Sequence, residues 1–262
     1  MTRQKPPQSN DKSKKNAVSI SVFFPCYNEE DNVTSTVTAA TDTLEKIKAD
    51  YEIIIVNDGS ADSTGRIADK ITEQDSRIKV VHHKTNLGYG AALQSGFKTA
   101  TKELVFYTDG DGQFDISEMP PLLPLLKQYD IVSCYRINRK DHIIRKINGF
   151  CWTKLICLLF RIKIRDIDCA FKVYKTKIFD NIKLTSSGAL IDAEILARAL
   201  RKGYKITQKG VHHYPRTSGS QTGAKAGVIL RAFKELFKLY RQIKKDTVKP
   251  MIKPKTDSPT ER

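Results

Sequence analysis

The sequence carries two carboxylates separated by one glycine, Asp109-Gly110-Asp111, directly after the apolar run 104–107. Carboxylates at positions i and i+2, on a turn that glycine makes flexible, can point in the same direction. Oxygen ligands of this kind suit Mg²⁺ or Mn²⁺, which also takes waters and the oxygens of a bound diphosphate. Gln113 could add a carbonyl oxygen. We therefore predict a divalent-cation site at Asp109, Asp111 and Gln113.

Two further polar clusters follow predicted strands in the same way. Residues 25–30 (PCYNEE) follow the first strand, and residues 57–60 (NDGS) follow the second. In parallel sheets the ligand binds beyond the carboxyl ends of the strands. Three acidic clusters at one edge repel one another unless a cation or a donor-rich ligand offsets the repulsion. Asp58 is thus a candidate acceptor of hydrogen bonds from a nucleobase or ribose, the alternative being an ordinary turn with a helix cap.

The elements that must position these residues alternate between short apolar strands and helices. This alternation predicts an α/β fold, with a mostly parallel sheet flanked by helices on both faces. Residues 1–16 and 246–262 are polar and basic, and we predict that both are disordered tails. Residues 1–16 also lack the apolar stretch of a signal peptide. The predicted strands are 19–24, 52–56, 78–82, 104–107 and 130–134, and the predicted helices are 30–48, 62–74, 89–99, 117–127 and 190–201.

Charge divides the chain, whose formal net charge is +16. Residues 17–135 hold ten basic and eighteen acidic residues, whereas residues 136–177 hold twelve basic and three acidic. The acidic half suits a divalent cation, and the basic half suits an anionic partner such as nucleic acid, a lipid surface or a phosphorylated substrate. The five cysteines form no C-x-x-C pair, which indicates reduced thiols in a cytoplasmic protein.

Two basic segments in the second half, 141–162 and 225–245, have the pattern of amphipathic helices. Such helices can lie in a bilayer interface, where each Lys or Arg near an anionic leaflet contributes ~1 kcal/mol. The alternative is that their apolar stripes pack on the sheet. We favour peripheral binding to an anionic membrane surface for 141–162 and weigh the two interpretations equally for 225–245. The stripes are Ile144, Ile147, Cys151, Leu155, Leu158, Leu159 and Ile162 in the first segment, and Ile229, Phe233, Leu236, Phe237, Tyr240 and Ile243 in the second.

The order of motifs over about residues 18–222 resembles the family-2 glycosyltransferases. The branch it resembles includes dolichyl-phosphate mannose synthase and bacterial polyprenyl-phosphate glycosyltransferases. The resemblance implies a GT-A (Rossmann-like) fold, a GDP- or UDP-sugar donor, Mg²⁺ or Mn²⁺, inversion at the anomeric carbon and a polyprenyl phosphate acceptor. The motifs are PCYNEEDN, VNDGSADST, NLGYGAALQSGF, YTDGDGQFD, DIDCAFKVY and HYPRTSGSQ.

Position by position, the resemblance also implies roles for single residues. Arg136 and Arg145 match positions that hold the acceptor phosphate, and Asp168 matches an acceptor-side aspartate. The positions matching the nucleotide and its diphosphate are Pro25, Tyr27, Glu29, Asp58, Asp109 and Arg216. We predict Asp111, Asp168 and Asp192 as catalytic residues.

The acceptor decides whether a general base is needed. A hydroxyl acceptor requires one, and Asp192, Glu194 and Asp168 are candidates. A phosphate acceptor is already ionised at neutral pH and needs only cations to hold it, which residues 136–177 supply. This is our physical reason for predicting a polyprenyl phosphate acceptor for a cytoplasmic enzyme peripherally associated with the membrane.

The predicted organisation is a GT-A domain over 17–222, including an amphipathic insert at 141–162, followed by a basic amphipathic helix at 223–245. One alternative is a soluble family-2 glycosyltransferase that acts on a glycan or protein hydroxyl. A more remote alternative is a nucleic-acid-binding protein, which we disfavour because the acidic edge would repel phosphates without a metal. We therefore expect no nucleic-acid partner.

Overall fold

The computed structural model describes residues 17–138, 143–216 and 226–245, and the two predicted tails lie outside these ranges. Strands and helices alternate along the described chain as the sequence predicts. The strands are β1 (Ser19–Cys26), β2 (Asp50–Asn57), β3 (Ile78–His82), β4 (Leu104–Thr108), β5 (Ile131–Ile137), β6 (Phe171–Lys175) and β7 (Ile206–His212). The α-helices are α1 (Val33–Lys46), α2 (Thr64–Gln74), α3 (Tyr89–Thr99), α4 (Ile143–Phe160), α5 (Ile178–Asn181), α6 (Ile191–Arg201) and α7 (Ala226–Lys245).

The strands form one sheet in the order β3-β2-β1-β4-β6-β5-β7. Strand β6 runs antiparallel to both of its neighbours, β4 and β5, whereas the other pairs are parallel. The predicted mostly parallel sheet is therefore confirmed. Because β6 alone is reversed among the described strands, its amino end lies at the same edge as the carboxyl ends of the others. The segments that follow β1, β2, β4, β5 and β7, and the one that precedes β6, all meet at that edge.

Hydrophobic residues on the two faces of the sheet build two cores. Phe23 and Ile54 face a layer that includes α3, α6 and α7, whereas Phe24 and Ile55 face α1 and the segment after β4. Neighbouring residues on a strand point to opposite faces, so continuous apolar strands such as β1 and β2 are what a sheet buried on both sides requires. The sheet is thus a rigid support for the loops at its edge.

One predicted helix has a different form. Residues 117–127 do not form an α-helix, because the structure has 3₁₀ helices at Ile116–Glu118 and Pro120–Lys127. Pro120, Pro121 and Pro124 lack the backbone N–H that an α-helix needs for its i→i−4 bonds, and the tighter turn accommodates them. The sequence analysis also did not predict the strands β6 and β7.

Helices α4 and α7 contact each other and the core. Ile156 of α4 and Leu236 of α7 are buried in one cluster, and the Trp152 and Phe233 rings lie 5.5 Å apart. The predicted apolar stripe of α4 is buried only in part, because Leu155 and Leu159 pack against this cluster whereas Leu158 is 78% exposed. Helix α4 is apolar on two sides, and one side is left at the surface. None of the described helices is long and apolar enough to cross a bilayer.

Candidate functional site

The site predicted from the sequence lies along this single edge of the sheet. Asp109 follows β4, Arg136 is near the end of β5, and Arg216 comes after β7. Asp168 precedes the reversed strand β6, so it reaches the same edge from the opposite chain direction. Arg145 lies in α4, and its side chain is outside the described part of the structure.

The Asp109 carboxylate is held in an environment that opposes its ionisation. Burial, reinforced by the nearby Asp111 charge, raises the pKa of Asp109 to about 8. Its Oδ1 atom is buried and has no hydrogen-bond partner in the structure. Such an orphaned carboxylate oxygen is energetically costly unless a ligand engages it. Gly110 between the two aspartates is required sterically, because a Cβ there would lie 2.6 Å from Cys26 Sγ.

Arg216 lies against the carboxylates of Glu29 and Asp111 at this edge. Its guanidinium forms an ion pair with Glu29, and its Nη1 lies 3.8 Å from Asp111 Oδ2. Burial raises the pKa of Glu29, with Asp111 adding to the effect, while Asn32 and Arg216 oppose it. The arginine therefore supplies positive charge where acidic residues from two strand ends converge.

Gln113 ties the Asp109–Asp111 turn to the segment that carries Arg216. Its side-chain Nε2 donates to Tyr214 O at 3.0 Å, and Tyr214 N donates back to Gln113 O at 2.8 Å. The backbone N–H of Gln113 also donates to Asp111 Oδ1 at 3.1 Å. With its amide nitrogen used in this way, Gln113 has only its side-chain oxygen to offer a cation, so the predicted ligand role stays a prediction.

The Asp58 side chain organises a neighbouring loop. Its carboxylate accepts the backbone N–H groups of Leu87 and Gly88, both at 2.9 Å. It also lies 2.6 Å from His83 Nδ1, and His83 Nε2 lies 2.8 Å from Ser95 Oγ. Asp58 thus holds the glycine-containing loop at the start of α3. Its predicted contact with the nucleotide stays a prediction.

Pro25 and Tyr27 are at the end of β1, which lies in the sheet between β2, followed by Asp58, and β4, followed by Asp109. Pro25 pairs with Val56 of β2, and its carbonyl oxygen would lie 3.3 Å from a Cβ on Gly110. Tyr27 is 38% exposed, so its ring is accessible to a ligand at the edge. Pro25 therefore borders the Asp109 turn, and the nucleotide-binding role of Pro25 and Tyr27 stays a prediction.

The residues predicted to hold the acceptor lie around Arg136. Its guanidinium makes two bonds to one carboxylate, with Nε 2.7 Å from Asp166 Oδ2 and Nη2 2.8 Å from Asp166 Oδ1. Asp168 is exposed, yet the protein around it, Asp166 and Asp192 raise its pKa to about 6, with Arg136 and Lys172 opposing them. A carboxyl group with this pKa changes its charge near physiological pH.

The two acidic residues of α6 are engaged inside the protein. Asp192 is buried and pairs with Lys172 Nζ at 2.8 Å, and it also accepts a hydrogen bond from the Tyr107 hydroxyl. Glu194 is fully buried and accepts the backbone N–H groups of Thr185 and Ser186. These contacts orient the 185–186 backbone and leave both carboxylates poorly placed to take a proton from a substrate.

The residues at the edge fit a divalent cation. The orphaned Oδ1 atom of Asp109, beside Asp111, provides the hard oxygen donors that Mg²⁺ and Mn²⁺ prefer. Across the described ranges, no three side chains among His, Cys, Asp and Glu come together as a cation site. A cation here would therefore take part of its coordination from Gln113, waters or the diphosphate of a ligand.

Three residues at the edge were missed by the sequence analysis. The sequence analysis gave His83 no role, although its position after β3 places it beside Asp58. Asp166, two residues before Asp168, is the partner of Arg136. Lys172 gave no signal, because its partner Asp192 is twenty residues away in the sequence.

The family is decided by comparison with known proteins. Residues 21–183 match the model of the family described as glycosyl transferase family 2. The chain belongs to glycosyl transferase family 2. The resemblance noted from the motifs is thereby confirmed, and membership places the chain among glycosyltransferases.

Several curated relatives of this family 2 chain carry functional names. Glycosyltransferase AglD from Haloferax volcanii is 30% identical over 76% of this chain and 34% of its own length. Dodecaprenyl-phosphate galacturonate synthase from Rhizobium johnstonii is 31% identical over 64% of this chain and 51% of its own. An undecaprenyl-phosphate 4-deoxy-4-formamido-L-arabinose transferase from Aeromonas hydrophila is 32% identical over 62% and 50%. The chain thus spans between a third and a half of these relatives.

Solved structures confirm the predicted GT-A fold. Mannosyl-3-phosphoglycerate synthase from Rubrobacter xylanophilus superposes with a TM-score of 0.67 at 15% identity, covering 93% of this chain and 80% of that one. Glucosyl-3-phosphoglycerate synthase from Mycobacterium tuberculosis, solved with Mn²⁺, UDP and glucosyl-3-phosphoglycerate, superposes with a TM-score of 0.60 at 18% identity, covering 92% and 84%. At these identities the likeness establishes the fold alone.

Proposed function

We propose that the protein transfers a sugar from a GDP- or UDP-sugar to a polyprenyl phosphate, with inversion at the anomeric carbon and dependence on Mg²⁺ or Mn²⁺. The observation that carries this proposal is the convergence on one sheet edge of Asp109, Asp111 and Arg216 with the Arg136–Asp168 group. The first set suits a donor diphosphate, and Arg136 of the second would supply a guanidinium toward an anionic acceptor. The names of two relatives, both polyprenyl-phosphate sugar transferases, support the acceptor.

The donor side supports binding of a diphosphate. A cation held by Asp109 and Asp111 would supply positive charge to offset the negative charge that develops on a departing nucleoside diphosphate. Arg216, already beside Glu29 and Asp111, would add a guanidinium that binds phosphate oxygens through several N–H donors. Tyr27 and Asp58 would lie toward the nucleoside.

A phosphate acceptor requires no general base at this site, whereas a hydroxyl acceptor requires one. A hydroxyl must lose a proton, but Asp192 and Glu194 use their carboxylates in internal hydrogen bonds. Of the three candidate bases, Asp168 is then left. A phosphate oxygen is ionised at neutral pH, so it can attack the anomeric carbon without a base. The carbon–oxygen bond to the donor diphosphate breaks as the new bond forms, its electron pair leaves with the nucleoside diphosphate, and a single displacement inverts the configuration.

We further propose that α4 binds the surface of an anionic membrane at its cytoplasmic face. Ile143, Ile147, Phe150 and Leu158 are exposed on one side of the helix. Their spacing of three, four and eight residues keeps them on a common stripe. Lys154 lies in the same stripe, with its Nζ 5.2 Å from the centre of the Phe150 ring. Apolar side chains flanked by lysines fit the boundary between acyl chains and anionic headgroups.

The transfer proposal is tested with a panel of GDP- and UDP-sugars in Mn²⁺, each with and without short-chain polyprenyl phosphate. We expect one donor to be consumed in a lipid-dependent reaction that Asp111→Asn abolishes. The β-anomer formed from an α-linked donor, or the reverse, would support inversion. Metal-dependent turnover that ignores the lipid and requires Asp168 would instead favour a hydroxyl acceptor.

The membrane proposal is tested by sedimentation with vesicles containing phosphatidylglycerol. Ile147→Glu together with Phe150→Glu is expected to weaken binding by at least about tenfold, since two exposed apolar side chains leave the lipid. The melting temperature should stay near that of the wild type, because both positions are exposed. Thr38→Glu, on the exposed part of α1, is the control for the added charge. Unchanged vesicle binding of the double variant would contradict the proposal.

A further inference from the structure

Lys172 is a fully buried lysine near the amino end of the interior strand β6. It lies on β6, between Tyr107 of β4 and Ser133 of β5, and its side chain is 0% exposed. Its Nζ donates to Cys169 O at 2.6 Å, Asp192 Oδ1 at 2.8 Å, Ile167 O at 3.2 Å and the Tyr107 hydroxyl at 3.2 Å. An ammonium group is costly to remove from water, and an apolar residue would fill a sheet centre at lower cost.

The contacts of Lys172 hold the backbone on both sides of Asp168. Its two carbonyl partners belong to Ile167 and Cys169, the residues immediately before and after Asp168. One ammonium group therefore fixes the backbone on both sides of the acceptor-side carboxylate. The Asp168 side chain itself is exposed at the edge, so its direction depends on the backbone that Lys172 holds.

The other contacts of Lys172 lead to the donor side. Asp192 bridges Lys172 and the Tyr107 hydroxyl. Tyr107 lies on β4, two residues before Asp109. The Tyr89 hydroxyl, at the start of α3, interacts with both Asp109 and Tyr107. A buried polar network thus joins the strand end that carries Asp109 to the turn that carries Asp168.

We propose that Lys172, with Asp192 and Tyr107, is a positioning residue that fixes Asp168 relative to the Asp109 turn. It sets the acceptor phosphate in line with the donor. The proposal rests on the proposed function in taking Asp168 as an acceptor-side residue. It also gives Asp192 a positioning role in place of the predicted role as a base, because Asp192 is the buried counter-ion of Lys172.

The test must separate positioning from folding. Removing one partner of a buried ion pair is destabilising, whereas replacing both with apolar residues of similar volume is often neutral. We expect Lys172→Met alone to lower the melting temperature and Lys172→Met with Asp192→Leu to recover it. In the double variant, kcat/KM for polyprenyl phosphate should remain about 100-fold below wild type, as for a misplaced reacting group. Titration with UDP and GDP in Mn²⁺ should show nucleotide binding retained. Recovery of transfer together with the melting temperature would overturn the proposal.

A second measurement does not depend on the lipid. Hydrogen exchange of the amides at 165–170 should be faster in the double variant than in the wild type, with β1 and β2 equally protected in both. Lys175→Met is the matched control, because Lys175 lies on the same strand and pairs with Asp130 at the opposite edge of the sheet. Unchanged exchange at 165–170 would overturn the proposal. A wild type that exchanges as expected but ignores polyprenyl phosphate would contradict the proposed function alone.

Discussion

Replacing Asp109 with asparagine should stabilise the metal-free protein while abolishing the metal-dependent activity that we propose. The wild-type carboxylate is buried beside Asp111, and these two causes raise its pKa to about 8. Its Oδ1 atom has no hydrogen-bond partner in the structure. Asparagine has nearly the same shape and carries no charge, so it removes the cost of holding an ionisable group in this position.

The magnitude follows from linkage between protonation and folding. The pKa of Asp109 rises from an ordinary value of 3.8 to about 8. A raised pKa gives stability that is fully present below pH 3.8 and is lost as the pH rises through 8. At ~1.4 kcal/mol per pH unit, the loss by pH 7 is at most about 4 kcal/mol. The asparagine amide needs partners of its own, which reduces the gain to roughly 2–3 kcal/mol. For a domain of this size that corresponds to about 5–10 °C in melting temperature.

The assay is thermal unfolding of both proteins in EDTA between pH 5 and pH 8. The advantage of Asp109→Asn should grow with pH across this range, and Mn²⁺ should raise the melting temperature of the wild type only. Asp58→Asn is the matched control, since it makes the same change of charge at a carboxylate that accepts the N–H groups of Leu87 and Gly88. That variant should melt below the wild type. An Asp109→Asn protein that melts no higher than wild type at pH 7 in EDTA would refute the reasoning.

Three further predictions follow from other contacts. Burial opposes ionisation of Glu52, but its hydrogen bonds outweigh this effect and lower the pKa to about 2. Glu52→Gln should therefore lower the free energy of unfolding in urea by roughly 2–3 kcal/mol at pH 7, and by progressively less as the pH falls from 4.5 towards 2. Gly88→Ala should lower the melting temperature by several degrees, because Gly88 has a φ of +99° and a Cβ would lie 2.8 Å from Ser187 O; Gly112→Ala, with open space around its Cβ, should lower it less. Arg136→Lys cannot make both bonds to Asp166, so the KM for polyprenyl phosphate should rise about tenfold while the KM for the donor stays constant.

The parallel part of the fold could be predicted because its strands are short, apolar and regularly spaced. Strand β2 has seven consecutive buried residues, from Tyr51 to Asn57, and such a run has few other interpretations. Strand β6 could not be predicted in the same way, since its sequence FKVYK looks like a half-exposed strand. Strand β6 can occupy an interior position in the sheet because Asp192 of α6 neutralises its buried Lys172. The pattern along one strand contains no information about such a partner.

Helix α4 shows a second limit of the sequence pattern. A helix that is apolar on two sides has no unique buried face, and its neighbours decide which side enters the core. Contact with α7 buries Ile156 and leaves Leu158 at the surface. The apolar stripe predicted from the sequence includes residues from both the buried side and the exposed side of α4. The segment therefore packs on the core and also presents apolar side chains outward, which the two alternative interpretations treated as exclusive.

The directions of the pKa shifts sort the acidic residues into two groups that their sequence positions do not reveal. Hydrogen bonds lower the pKa of Glu52 and of Glu194 in spite of burial, so these carboxylates stabilise the fold in their ionised form. Burial raises the pKa of Glu29 and of Asp109, the protein around the exposed Asp168 raises the pKa of that carboxyl group, and neighbouring carboxylates add to each shift. The second group lies along the edge where the loops converge, and each member would gain stability from a nearby positive charge. A positive charge that binds at this edge would lower the free-energy cost of keeping these three carboxylates ionised. This is the physical reason for expecting the donor and a metal ion to bind there together.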